Sequence, residues 1–314
     1  MSNLAERLLA EQSRRLQALD PLLPPWVGVP EGDVLTGAVE NEADDEKIAG
    51  VLLRFTHPPG SLARMWSAAD VSELVPVLGG TGLAGMHALL AAWQARLPRL
   101  DLPATDSACV VSWPSRDIEA GRALLDHGFV PLSVIAVRSP PTSPVLLGAS
   151  GLEIRPAEPA DLEDCLRLAT LEQSYSAMLG GAVHREGADV LKRTLLQARL
   201  SGHEPIWVAV LAGVTVGLIE CGYTDATPGT WTATRLPSGR WGYINCASVL
   251  PGARGHGVGR ALADHAHAAF AAAGTVGSYL YYNPPNPLSS VFWPRQGYRP
   301  LWTIWETRPA SALR

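Results

Sequence analysis

Near the start of the chain, the apolar residues Leu4, Leu8, Leu9, Leu16 and Leu19 recur at helical spacing, and Pro21 stops the pattern. A first helix is expected there, because proline cannot continue it. Residues 34–39 and 48–55 read as two strands, and the acidic segment 40–46 between them reads as a solvated hairpin loop. Helical spacing returns over 86–97, a strand pattern over 108–113, and a second helix over 116–127 that Gly128 stops. A strand over 129–138 follows, and the Ser/Pro-rich stretch 139–144 reads as a linker. Beyond it the pattern predicts a strand over 152–156, then helices over 158–169 and 188–200. A strand pair, 206–211 and 214–223, turns at Ala212-Gly213, and another strand spans 243–250. Helix 260–273, strand 278–282, helix 287–295 and strand 298–307 complete the pattern.

One stretch echoes another. Gly128-Phe129-Val130-Pro131-Leu132 with Ile135 mirrors Gly297-Tyr298-Arg299-Pro300-Leu301 with Ile304, at a constant offset of 169 residues. In both copies a strand, a short helix, a glycine and a strand occur in that order. This suggests a duplicated domain and a division into 1–145 and 146–314.

Composition narrows the partners. Of 314 residues 47% are hydrophobic and 18% charged, enough apolar material for two cores. The net charge is −5 and no Lys/Arg run is visible, which argues against nucleic acid. Cys109, Cys165, Cys221 and Cys246 are scattered without metal-ligand spacing, so no metal and reduced thiols are expected. The first 20 residues lack a signal-peptide core and no apolar run is long enough to span a membrane, so a cytoplasmic protein without a membrane partner is expected.

The chemistry concentrates in Val249-Leu250-Pro251-Gly252-Ala253-Arg254-Gly255-His256-Gly257-Val258-Gly259-Arg260, between a strand and a helix. Glycines let the backbone turn and keep side chains out of a ligand's way. The first N–H groups of the following helix then make an anion site suited to a diphosphate, to which Arg254 and Arg260 add charge-assisted contacts. A Walker loop would end in Gly-Lys-Ser/Thr, and Gly259-Arg260-Ala261 does not. A dinucleotide loop needs other glycine spacing and an acid on the next strand, and none stands there.

Arg254, Gly257 and Gly259, after a strand ending Val249-Leu250-Pro251, resemble the acyl-CoA loop Arg-x-x-Gly-x-Gly/Ala of the GNAT superfamily of N-acetyltransferases. The stretch Asn286-Pro287-Leu288-Ser289-Ser290-Val291-Phe292-Trp293-Pro294-Arg295-Gln296-Gly297-Tyr298 resembles that family's second motif, Asn-x-x-Ala-x-x-Phe-Tyr-x-x-x-Gly-Phe. The resemblance covers 152–307. It implies an α/β (α+β) fold with a mixed, mostly antiparallel sheet flanked by helices, in which two central strands splay around the pantetheine arm. It also implies acetyl-CoA as co-substrate and an amine-bearing acceptor. The implied CoA-binding residues are Val249, Leu250, Arg254, Gly255, His256, Gly257, Val258, Gly259, Arg260, Asn283, Asn286, Phe292 and Trp293.

The proton donor departs from the family pattern, because Trp293 stands where the family usually has Tyr, and an indole N–H is a poor acid. Tyr281, Tyr282 or Tyr243 can take that role, the thiolate can leave unaided, or the domain binds acyl-CoA and barely turns it over. Glu220 is the candidate base, and Cys246 reads as packing. His184 and His203 read as exposed polar residues in the acceptor-facing region. The Thr/Gly/Pro-rich insertion 223–240, flanked by Trp231 and Trp241, is either a cover for an acceptor pocket or an exposed loop.

In the first half, Leu78-Gly79-Gly80-Thr81-Gly82-Leu83-Ala84-Gly85 stands where the loop should be, with Thr81 or a neighbour in place of the arginine. It reads as a degenerate copy, or as a nucleotide loop through Gly80, Gly82 and Gly85. The activity implied is acetyl transfer to a primary amine of a small molecule or peptide, by a monomer or homodimer. The alternatives are an acyl-CoA-binding regulator with little catalysis, or a transferase for a longer acyl or aminoacyl group.

Overall fold

The structure, a computed structural model, describes residues 2–39, 46–139 and 151–314. The acidic loop expected over 40–46 and the linker over 139–144 fall outside these residues except at Glu46 and Ser139. In chain order come α1 (Ser2–Leu19), β1 (Asp33–Val39), β2 (Glu46–Thr56), β3 (Asp70–Val77), α2 (Gly82–Arg96), β4 (Ser107–Pro114), α3 (Ile118–Asp126) and β5 (Val130–Arg138). The second half adds β6 (Leu152–Pro156), α4 (Leu162–Met178), α5 (Ala188–Ser201), β7 (Ile206–Leu211), β8 (Val214–Ala226) and β9 (Gly239–Val249). It ends with α6 (Val258–Ala272), β10 (Gly277–Tyr282), α7 (Ser289–Arg295) and β11 (Arg299–Thr307).

The chain folds into two compact units that do not follow it linearly. The first contains Met1–Val134, Thr234–Pro237 and Pro300–Arg314; the second contains Ile135–Ala233 and Ser238–Arg299. Each unit thus takes strand material from the far half of the sequence: β11 joins the first unit and the end of β5 the second.

In the first unit the strand order is β1-β2-β3-β4-β11. Only β3 and β4 run parallel, from Asp70↔Ser107 to Leu74↔Val111. The hydrophobic pattern misses β3, because Glu73 and Pro76 interrupt it. Pro76 is tolerated in this central strand because it lies beyond the last β3–β4 pair, where its missing N–H leaves no ladder bond unmade. Glu73 is mostly buried, and desolvation pushes its pKa up against the opposing charge of Arg235.

In the second unit the order is β10-β9-β8-β7-β6, with β5 beside β10. Strands β9 and β10 run parallel. Helix α4 runs nine residues past its expected end at Ala169. Its inward stripe continues from Cys165, Leu168 and Ala169 into the polar Glu172 and Ser176, which hides it from an apolar-periodicity reading. Cys165, Leu168 and Ala169 pack with Leu196 and Leu200 of α5 and with Cys246 of β9. Helix α6 covers the other face. A Cβ on Gly217 would lie 2.9 Å from Leu262 and 3.0 Å from Val258, and one on Gly242 would collide with Phe270. Two glycines in the sheet therefore seat both ends of α6, and with them the position of its N-terminus. Burial of Phe270 makes this seating strong; a Phe→Ala change in such a place costs about 3–5 kcal/mol.

Candidate functional site

The site begins where β9 and β10 part. Their last pair is Ile244↔Leu280. There the β8–β9 register shifts, so that Glu220 faces Cys246 while Cys221 faces Ile244. Asn245 is the extra residue of a bulge, which re-aims the strand that carries it. Beyond the bulge β9 stays with β8, and the Leu250 N–H bonds Val216 O at 2.9 Å. Alternation then turns the backbone groups of Ala247 and Val249 away from β8, toward the gap. The backbone of Val249 thus faces the gap. Leu250 does not offer a donor there; its N–H is used by β8 and its side chain packs on the core around Cys246.

The gap leads to the glycine loop. Gly255 and Gly257 have φ of 80° and 81°, a left-handed conformation that glycine adopts without strain. Gly257 caps α6 and supplies no side chain to its amides. The first turn of α6 contains no acid, so its orphan N–H groups and the positive end of the helix dipole face outward unopposed. Arg254 is exposed and its Nε donates to Val249 O at 3.1 Å. The ring Nδ1 of His256 lies 2.9 Å from Arg254 O. Arg260 reaches Asp264 across one turn at 3.7 Å. The side chain of Val258 points inward against Gly217, and the ring of Phe292 lies 3.4 Å from the place of a Gly259 Cβ. The arrangement leaves backbone groups facing a gap between two strands and the orphan N–H groups of a helix at its mouth.

The remaining expected residues divide. Glu220 is 4% exposed and its carboxylate is held by Arg199. Arg199 also donates to Glu204 at 2.6 Å and to Cys221 O at 2.7 Å, while Asn245 Nδ2 reaches Glu220 at 3.3 Å. Tyr243 and Tyr279 stack at 4.8 Å, and Tyr281 stands edge-on to Tyr243 at 6.3 Å. The Tyr243 hydroxyl donates to Asn245 Oδ1 at 3.2 Å, and burial raises its pKa. Tyr282 alternates onto the opposite face, where burial raises its pKa as well.

Asn286 uses its Oδ1 to accept from Leu288 N at 3.0 Å and Ser289 N at 3.2 Å, so it shapes the start of α7. The Asn283 carbonyl accepts from Asn286 N at 2.9 Å, and its side chain fills the space beside Gly181. Trp293 is 6% exposed and packs edge-on against Tyr298 at 5.4 Å and Phe292 at 4.8 Å. The Tyr298 hydroxyl sits between His267 Nε2 at 3.0 Å and Ser278 Oγ at 2.7 Å. Burial, with some help from Arg138, holds the His267 pKa down at about 3. Cys246 is buried and its thiol is pushed up by desolvation, as befits packing. His184 and His203 are exposed. Part of the insertion, Thr234–Pro237, belongs to the first unit, where Arg235 O accepts from Trp302 Nε1 at 2.8 Å. This tie sets the segment apart from a free acceptor lid.

Sequence reasoning missed Arg199, Asn245 and Glu172. Glu172 lies on the inward stripe of α4, accepts from Ser176 Oγ at 2.8 Å, and has its pKa raised by burial against the opposing charge of Lys192. Among the described residues no group of His, Cys, Asp or Glu can hold a metal ion, and no helix is long and apolar enough to cross a membrane.

A strand pair thus parts at a bulge, with a glycine loop and a helix N-terminus without a side-chain cap at its mouth. Residues 168–298 match the model of the family described as Acetyltransferase (GNAT) family. A GCN5-related N-acetyltransferase from Sphaerobacter thermophilus is similar in fold, with a TM-score of 0.51 at 16% identity over 91% of this chain and 84% of that one. A GCN5-related N-acetyltransferase from Ralstonia eutropha is 24% identical over 48% of this chain and 94% of that one, with a TM-score of 0.38. PaiA N-acetyltransferase from Thermoplasma acidophilum, solved in complex with coenzyme A, is 15% identical over 50% of this chain and 98% of that one, with a TM-score of 0.37. The likeness to this family rests on residues 168–298, and members of the family bind acetyl-CoA.

Proposed function

We propose that this protein is a tandem GNAT enzyme, with a degenerate domain in 1–145 and an acyl-CoA-binding domain in 146–314. It transfers an acetyl group from acetyl-CoA to a primary amine of a small molecule or peptide. The observation that carries this reading is the continuity of the parted strands with the uncapped N-terminus of α6, flanked by Arg254. The helix amides and Arg254 hold the diphosphate, and the backbone of Ala247 and Val249 pairs with the pantetheine amides. The thioester then lies near Asn245 and Tyr281, the first residues past the last strand pair.

Glu220, already held by Arg199, orders the bulge through Asn245. Glu172 is the better general base, because burial brings its pKa closer to the working pH. Tyr281 is the donor for the departing thiolate, since Trp293 is committed to packing. That commitment also favours a second reading, an acyl-CoA-binding regulator with little turnover. A free-thiol release assay over an amine panel, with acetyl-CoA and longer acyl-CoAs, separates the two. Amine-dependent thiol release supports transfer; tight CoA binding without such release supports the regulator.

A further inference from the structure

We infer that the first unit carries a second cleft of the same build, and that its resident ligand is helix α1 of the same chain. The β3–β4 pair ends at Leu74↔Val111, just as β9 and β10 part after Ile244↔Leu280. Strand β3 continues to Val77, a glycine loop follows, and α2 starts at Gly82. In the second unit the backbone of Ala247 and Val249 faces the gap, and the Val249 carbonyl accepts from Arg254 Nε at 3.1 Å. In the first unit a side chain takes the matching groups: Gln12 Oε1 accepts from Leu78 N at 2.6 Å, and Gln12 Nε2 donates to Pro76 O at 3.1 Å. Gln12 is 0% exposed, and its carboxamide bridges β3 as the peptide of a neighbouring strand would.

The rest of α1 closes the loop. A Cβ on Gly79 would lie 2.8 Å from Leu8 and 3.0 Å from Glu11 Oε2. One turn further on, Arg15 pairs with Asp117 at 2.6 Å, and the same carboxylate accepts from Trp113 Nε1 at 2.8 Å. Glu119 Oε2 lies 2.8 Å from the place of a Gly82 Cβ, over the start of α2. Two carboxylates, Glu11 and Glu119, therefore stand at a loop whose counterpart carries Arg254 and Arg260. They complement the positive end of the helix and oppose a diphosphate, while Arg15, with Nη1 3.8 Å from the same Gly82 position, is paired to Asp117. The cleft takes a neutral carboxamide from its own chain and excludes acyl-CoA, so each chain binds one CoA. This inference stands whether or not the second unit transfers acyl groups.

Residue-resolved hydrogen exchange on the full chain tests it, with and without CoA. In the wild type the Leu78 amide is expected to be protected. In Gln12→Leu, which keeps the volume and removes both bonds, it should exchange at least about tenfold faster, while the Leu250 amide stays unchanged. Equal exchange at Leu78 overturns the inference. CoA should protect 257–260 and leave 78–85 unaffected in the wild type, a readout that does not depend on the variant folding. Protection of 78–85, or two CoA per chain by native mass spectrometry, overturns it. If CoA protects neither loop, the acyl-CoA reading of the second unit fails, and the Leu78 comparison alone decides this one.

Discussion

Arg254 separates binding from folding more cleanly than any other residue of the loop. It is exposed, and its one described side-chain bond is Nε to Val249 O at 3.1 Å. Losing that bond at the surface changes stability by no more than about 0.5 kcal/mol, a shift of roughly 1–2 °C in Tm. The ligand side is different. A charge-assisted hydrogen bond to phosphate is worth about 1.5–3 kcal/mol, which corresponds to a loss of affinity of roughly 10- to 150-fold for Arg254→Ala at about 1.4 kcal/mol per decade. Arg254→Glu replaces attraction by repulsion of similar size and should weaken CoA by more than about 100-fold. Titration calorimetry with CoA measures both variants, and a thermal melt confirms that each is folded. Repeating the titrations at higher salt should shrink the gap between wild type and variant, because this contact is solvent-accessible. An Arg254→Glu protein that melts like the wild type and binds CoA with unchanged affinity refutes the assignment of the diphosphate to this loop.

Other perturbations probe neighbouring links. Gly257→Ala forces a side chain into the left-handed region, which costs roughly 1–2 kcal/mol. Nothing lies within 4 Å of its Cβ, so Tm should fall by several degrees without a core clash while CoA affinity drops at least about tenfold. Glu172→Gln should lower kcat/KM by about 10²–10⁴ and abolish the rise in activity as pH increases through the elevated Glu172 pKa, with CoA affinity unchanged; a retained pH limb sinks the base assignment. Tyr281→Phe should lower kcat more than Tyr282→Phe, measured by thiol release under saturating CoA. Asp161 accepts two bonds from Arg155, both at 2.7 Å, and Arg155 holds its pKa below the ordinary 3.8. Its stabilising contribution is present above the unfolded pKa and is lost as pH falls through the folded one. Asp161→Asn should therefore cost about 1–3 kcal/mol at neutral pH, and the difference in denaturant midpoints should shrink as pH falls through the lowered Asp161 pKa.

The loop and the helix behind it were legible because their chemistry is local: glycines at required turns, a helix start and two arginines lie within seven residues. The gap was implied only by the family resemblance, since it depends on where pairing stops. No pattern announces that Asn245 bulges or that Glu220 and Arg199 meet from different elements. The same limit hid β3, whose Pro76 contradicts a strand until the neighbouring gap explains it, while Glu73 lies within the paired stretch opposite Val110. Trp293 and Asn286 were read from motif position as ligand contacts, and their described partners within the chain are Tyr298, Phe292 and the backbone that begins α7. Exchange of β5 and β11 between the units lay beyond any local signal, because each strand is locally consistent in either place.

The most direct measurement of the central claim is a crystal structure of the full chain with CoA. The diphosphate is expected within hydrogen-bonding distance of the amides of residues 257–260, with the pantetheine arm between β9 and β10. A CoA bound at 79–85, or one whose arm lies outside the β9–β10 gap, contradicts it.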